Sequence, residues 1–211
     1  MSIKLGDIAP NFQADSSVGK IDFYNYLGDS WGILFSHPAD YTPVCTTELG
    51  MTAKLQSEFN SRNTKVIALS VDRAEDHQNW INDINETQMT CVQFPIIADH
   101  DLAISMLYDF IHPKASTTAT VRSLLILDPN KTIRLIITYP ASTGRNFDEI
   151  IRVLDSLQLV DTCTIATPVN WKAGDDVIIP PSISIEDARK LYPKGVREIK
   201  SYLRFTPHPN K

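Results

Sequence analysis

Cysteine is scarce in this chain: only Cys45, Cys91 and Cys163 occur among its 211 residues. Their number is odd, they lie far apart, and no C-x-x-C pair is present. That excludes a disulfide scaffold and leaves dithiol or zinc-type chemistry without a framework. No apolar run approaches the ~18 residues of a membrane span, so no stable membrane insertion is expected. The first residues, MSIKLGDIAPNF, lack the apolar core of a secretory signal. A reducing compartment, most simply the cytoplasm, is the expected setting. No glycine-rich phosphate loop appears. The histidines (His37, His77, His100, His112, His208) show no ligand spacing, so no metal site is expected. Basic charge is in deficit: 20 Lys+Arg against 25 Asp+Glu give −5, which argues against a nucleic-acid partner. Eight Gly and 13 Pro exclude collagen and low-complexity chains.

What is present is ordinary globular composition, 43% hydrophobic and 21% charged. The length suits one domain, or one large and one small. Charge is uneven: residues 1–164 carry 12 basic and 20 acidic side chains (−8), residues 165–211 carry 8 and 5 (+3). Such asymmetry suggests two units. Strands are predicted at 21–26, 31–36, 65–71, 95–98, 122–127 and 132–139. The last two form a hairpin across Asp128-Pro129-Asn130-Lys131. Helices are predicted from about Pro43 to Phe59, from a capping box of Asp72 and Glu75 to about Thr87, at 102–110, and after Asn146. This alternation gives an α/β three-layer domain over 1–165. Ala166-Thr167-Pro168 marks a boundary, and 166–211, with Ile178-Ile179-Pro180-Pro181 and a short helix over 184–191, is a small appendage that packs on the main domain or on a second subunit.

The most informative stretch is Pro38-Ala39-Asp40-Tyr41-Thr42-Pro43-Val44-Cys45-Thr46-Thr47-Glu48. Thr42 fits an N-cap and Pro43 the first helical position. Cys45 then falls in the first helical turn, after the carboxyl end of a buried strand, where ligands bind in open α/β sheets. Free N–H groups and the helix dipole there favour thiolate. A lone thiolate suits a nucleophile that becomes sulfenic acid. The competing reading is an inert, buried small hydrophobe, and spacing alone does not separate the two.

The stretch resembles the P-x-x-x-T-x-x-C signature of the peroxiredoxins, in the T-P-V-C-T-T-E form of the 1-Cys, peroxiredoxin-six type. The likeness extends to Gly6–Phe12, Gly28–Pro38, Tyr139–Ala141, Thr143–Asn146, Ser156–Leu159, Ala166–Trp171 and Tyr202–Pro207, nearly the whole chain. The resemblance implies a thioredoxin-like fold, a central mixed sheet flanked by helices, with a small C-terminal α+β extension that helps form a homodimer. It implies a peroxidase acting on H2O2 and on organic or phospholipid hydroperoxides, with no bound cofactor. Cys45 is then the nucleophile, Thr42 bonds thiolate and peroxide, Pro38 screens water, and Arg122 is the catalytic arginine. Arg145 supports the site, His37 packs or hydrogen-bonds beside the pocket, and Glu48 anchors the helix start or steers Arg145. Trp31 is the expected fluorescence reporter.

Three departures matter. The segment Phe110–Val121 is short, with Thr117-Thr118-Ala119 in place of the family's Met-Pro portion, and Thr120 and Arg122 remain. No resolving cysteine follows Cys163, so an external thiol is expected as reductant: glutathione, aided by a glutathione transferase, or another thiol. Cys91 and Cys163 are expected to pack or sit idle. Gly28-Asp29-Ser30-Trp31-Gly32 fits G-x-S-x-G, which some relatives use, with a histidine and an aspartate, as a calcium-independent phospholipase A2. Here Ser30 and Asp128 match, but Tyr24 stands at the histidine position and a strand follows, so a plain turn is the expectation. A lipid hydrolase and a chaperone or redox sensor are the rival readings.

Overall fold

The computed structural model describes residues 3–209. They fall into two compact units, one ending at Phe147 and one beginning at Asp148. The first contains β1 (Gln13–Ala14), β2 (Ile21–Asp22), α1 (Phe23–Leu27), β3 (Trp31–Ser36), α2 (Pro43–Lys54), α3 (Gln56–Ser61), β4 (Thr64–Ser70), α4 (Ala74–Gln88), β5 (Ile96–Ala98), α5 (Ala103–Leu107), β6 (Arg122–Leu127) and β7 (Ile133–Tyr139). A five-stranded mixed sheet in the order β5-β4-β3-β6-β7 is its frame. β3, β4 and β5 are parallel, while β6 runs antiparallel to β3 and to β7.

The strand order follows from composition. WGILFS and RSLLIL are buried at every position, as strands covered on both faces must be. Register sets Leu34 between Ile67 and Leu125 at the sheet's centre. Phe12, Phe23 and Tyr108 close the core on one side, Phe12 stacking on Phe23 at 4.7 Å.

Three local expectations are corrected. The strand predicted over 21–26 stops at Asp22, whose carboxylate accepts from the Asn25 N–H at 3.0 Å and starts a helix instead. The helix predicted to Phe59 breaks at Leu55 into α2 and α3. The N-cap of α4 is Arg73, whose N–H donates to Asp76; Asp72 is drawn away to Ser70 and Asp40. The hairpin at Asp128 forms as predicted, its carboxylate accepting from the Asn130 and Thr132 N–H groups.

The second unit contains α6 (Phe147–Thr162, whose first residue belongs to the first unit), β8 (Val177–Ile179), α7 (Ile185–Leu191), β9 (Arg197–Lys200) and β10 (Leu203–Thr206). Its sheet runs β8-β10-β9, all antiparallel, with the β9–β10 hairpin adding β8 along β10. Ser184 caps α7 through the Asp187 N–H. Trp171, Leu159, Val177, Ile179 and Tyr192 make a core of its own. This division falls one helix before the boundary at 165/166.

Candidate active site

β3 ends at Ser36, and the chain crosses from His37 to Thr42 before α2 begins at Pro43. Cys45 lies in the first turn of α2 and is fully buried. The sequence therefore places the sulfur where it was expected, at the carboxyl end of a central strand. Thr42 is the N-cap residue, but its hydroxyl donates to the Ala39 carbonyl at 2.9 Å and makes no cap bond. Its proton is thus committed, and its lone pairs remain to accept. Pro38 lies half-buried in the same crossing.

Arg122 is the first residue of β6, next to β3. Its Nη1 donates to Cys45 Sγ at 3.3 Å and to Glu48 Oε2 at 2.8 Å. Nε and Nη2 both donate to the Ala141 carbonyl, at 2.9 and 2.7 Å. A guanidinium gripped on three sides has one orientation, and that orientation faces the sulfur. The strand itself is pinned: the Ser36 hydroxyl donates to the Val121 carbonyl and accepts from the Ser123 N–H. The shortened 110–121 segment closes on itself through Val121 N–H to Phe110 O at 2.9 Å, so the arginine keeps its place.

Glu48, one turn after Cys45, is 3% exposed. Its carboxylate accepts from Arg122 Nη1 and from the Arg145 N–H, Nε and Nη2 at 2.6–2.9 Å. Arg145 also lies over the Phe35 ring at 4.6 Å. Burial pushes the Glu48 carboxyl up, but the Arg145 hydrogen bonds and charge outweigh it and hold it below its ordinary value. One carboxylate and two guanidiniums leave a surplus of one positive charge. That surplus lies against the Cys45 sulfur, so this corner suits an anion.

Behind the crossing lies a second buried group that sequence reading missed. Asp40 Oδ1 meets His37 Nε2 at 2.8 Å, and Oδ2 meets His77 Nδ1 at 2.6 Å. The Asp40 N–H donates to Asp72, and the Ser70 hydroxyl donates to Asp72 as well. Burial raises the Asp40 carboxyl, yet the two imidazole hydrogen bonds outweigh it and bring it to about 2. Burial also lowers the imidazole of His37. His37, Asp40 and Asp72 present ligand atoms within 4.8 Å of one another, but their spacing is accounted for by these hydrogen bonds. Trp80 lies tilted beside His37 at 5.3 Å and donates to the hydroxyl of Thr46, the residue after Cys45, which suits Trp80 as a reporter; Trp31 lies at the opposite end of β3.

These shifts fix the sign of the acid response. His37 and Glu48 both titrate lower when folded than their ordinary values of 6.5 and 4.5. The unfolded chain therefore takes up protons first as pH falls, and stability is lost, beginning below about 6.5 and steepening below about 4.5. Asp40 extends the loss toward pH 2, while Asp99, raised by burial, opposes it. Urea midpoints are expected to fall in the order pH 7.5, 5.5, 4; a flat profile from 7.5 to 4 contradicts the assignment.

The G-x-S-x-G match does not assemble a hydrolase. The Ser30 hydroxyl donates to Asn63 Oδ1 at 3.0 Å, Asp128 serves its turn and Arg134, and the Tyr24 hydroxyl donates to the Ala9 carbonyl. Among the described residues no hydrogen bond joins Ser30 to Asp128 or Tyr24, and no base reaches the serine. Cys91 is exposed, Cys163 half-buried, and both are free.

A buried cysteine at a helix start, touched by a locked arginine on a mixed sheet, defines a protein whose chemistry is that of one activated sulfur. Comparison places it further. The chain belongs to the AhpC/TSA family, whose model matches residues 5–136, and residues 156–195 match the C-terminal domain of 1-Cys peroxiredoxin. It is 57% identical to the 1-Cys peroxiredoxin of Dictyostelium discoideum, over 99% of this chain and 87% of that one. The yeast mitochondrial 1-Cys peroxiredoxin, a structure of its thiol resolving mechanism via glutathione/thioredoxin systems, is 51% identical with a TM-score of 0.92 over 97% and 99% of the two chains. The peroxiredoxin 6 of Arenicola marina is 44% identical, again with a TM-score of 0.92, over the full length of both. The protein is a peroxidase of the peroxiredoxin family, with the thioredoxin-like fold that the sequence resemblance implied.

Proposed function

We propose that Cys45 is the peroxidatic nucleophile. The observation that carries this is the Arg122 contact with its sulfur, held in place by Glu48 and Ala141. The thiolate attacks one peroxide oxygen, the O–O bond breaks, and an S–O bond forms. Sulfur is oxidised by two electrons to sulfenic acid, and the other oxygen leaves as hydroxide or alkoxide. Arg122 faces the charge as it develops, the Thr42 hydroxyl oxygen accepts a hydrogen bond from the peroxide O–H, and Pro38 keeps water from the sulfur.

Glutathione is the proposed reductant. One thiol displaces water from the sulfenic acid to give a mixed disulfide, and a second releases the Cys45 thiolate. A fully buried sulfur admits a tripeptide only when the first turn of α2 opens, which favours assistance by a glutathione transferase. The homodimer is supported by β7, a seven-residue strand paired on one side only, and residues 166–211 are the proposed dimer-associated extension. Three free thiols suit the reducing cytoplasm. One equivalent of H2O2 is expected to add a single oxygen, mapped by peptide mass to Cys45, and glutathione to remove it. Oxygen found first on exposed Cys91 overturns the assignment.

A further inference from the structure

We infer that Asp40, backed by His77, is a positioning residue of the peroxidase. It holds the Pro38–Thr42 crossing over the sulfur, and the hold depends on the hydrogen bond between Asp40 and His77. This rests on Cys45 being the reacting sulfur.

The crossing needs a hold. Tyr41 adopts φ 54°, a left-handed conformation rare for an aromatic residue. Such backbone persists only where its surroundings over-determine it. Tyr41 itself is exposed, so its side chain supplies little of that restraint. Its neighbours Asp40 and Thr42 are tied down instead: Thr42 to Ala39, and Asp40 to His37, His77, Asp72 and, at 3.5 Å, the Ser70 hydroxyl. Those partners come from just after β3 (His37), from α4 (His77) and from the end of β4 and the loop after it (Ser70, Asp72). One residue, through its carboxylate and its backbone N–H, therefore ties three segments of the fold to the loop that carries Pro38 and Thr42.

The His77 ring is held at both ends: Nδ1 meets an Asp40 carboxylate oxygen at 2.6 Å and Nε2 meets the Ile97 carbonyl at 3.1 Å. His37 Nε2 donates to the other oxygen. Each carboxylate oxygen thus meets one imidazole, and all three side chains are buried. An asparagine has the same shape but one acceptor oxygen and an N–H2, so it faces one of the two donors with a donor. The imidazole–carboxylate unit also reaches the other side of the site: the His37 carbonyl accepts from the Thr120 hydroxyl at 2.7 Å, two residues before Arg122.

The sulfur's charged partners are anchored separately. Arg122 and Arg145 are fixed by Glu48, Ala141 and Ser123, none of which touches Asp40. Asp40→Asn is therefore expected to slow oxidation by H2O2 about 10- to 100-fold, the scale of a small misplacement of a reacting group. Alkylation by iodoacetamide, which needs the thiolate but no peroxide pocket, stays within about threefold, a separation that simple loss of stability does not produce. His77→Leu should match Asp40→Asn, and His77→Asn, which keeps an N–H toward Asp40, should recover most of the rate. Both rates are read by stopped flow on Trp80 fluorescence and by intact mass. Equal loss of both rates, or a normal H2O2 rate in folded Asp40→Asn, overturns the inference. A Cys45→Ser control that still takes up one oxygen overturns the nucleophile assignment instead.

Discussion

Arg122→Ala is expected to slow oxidation of Cys45 by H2O2 on the order of 100- to 1000-fold. The reaction moves negative charge from sulfur to the departing oxygen, and Arg122 is the cation in contact with the sulfur from which it starts. Its fixed position matters as much as its charge. Three of its nitrogens are already satisfied, so no reorganisation is needed as the barrier is crossed. Arg122→Lys should recover only a small part, because an ammonium cannot grip the Ala141 carbonyl, Glu48 and the sulfur together. The measurement is the second-order rate under pseudo-first-order peroxide. An alanine variant within threefold of wild type would show that the contact is merely structural.

Glu48→Gln is expected to destabilise the protein by about 3–5 kcal/mol, the range for breaking a buried ion pair by removing one partner. Two guanidiniums, 3% and 0% exposed at the side chain, then remain without a counter-charge. The amide keeps the shape of the carboxylate but offers one acceptor oxygen where four N–H groups now converge. Urea unfolding at pH 7.5 gives the loss directly. Adding Arg145→Met should restore part of it, since one unpaired charge leaves with it; strictly additive losses would refute the shared-carboxylate account.

The fold was legible where the signal is local. WGILFS, RSLLIL and the Asp128 turn announce buried strands and a hairpin from their own composition. The hydroxyl and amide chemistry of short segments was harder, because capping competes with tertiary demand. Asp72 looked like a helix cap and serves Asp40 instead. Cys45, Glu48 and Thr42 lie within one helical turn or two, so spacing brought them together. Arg122 and Arg145 lie 77 and 97 residues from their partners, and only the family resemblance pointed to them. Asp40 and His77, 37 residues apart, had no such pointer: a polar residue inside a signature's variable positions carries no mark of what it will meet. The extension's hairpin escaped because β9 is exposed throughout and gives no alternation to read.

The Ser36 hydroxyl, bridging Val121 and Ser123, has a consequence for how this architecture tolerates change. It rivets the first residues of β6 to β3 just where the variable 110–121 segment ends. Lengthening or trimming that segment is therefore expected to leave the aim of Arg122 unchanged. The length of the loop and the sheet register that orients the arginine are separable traits of this architecture.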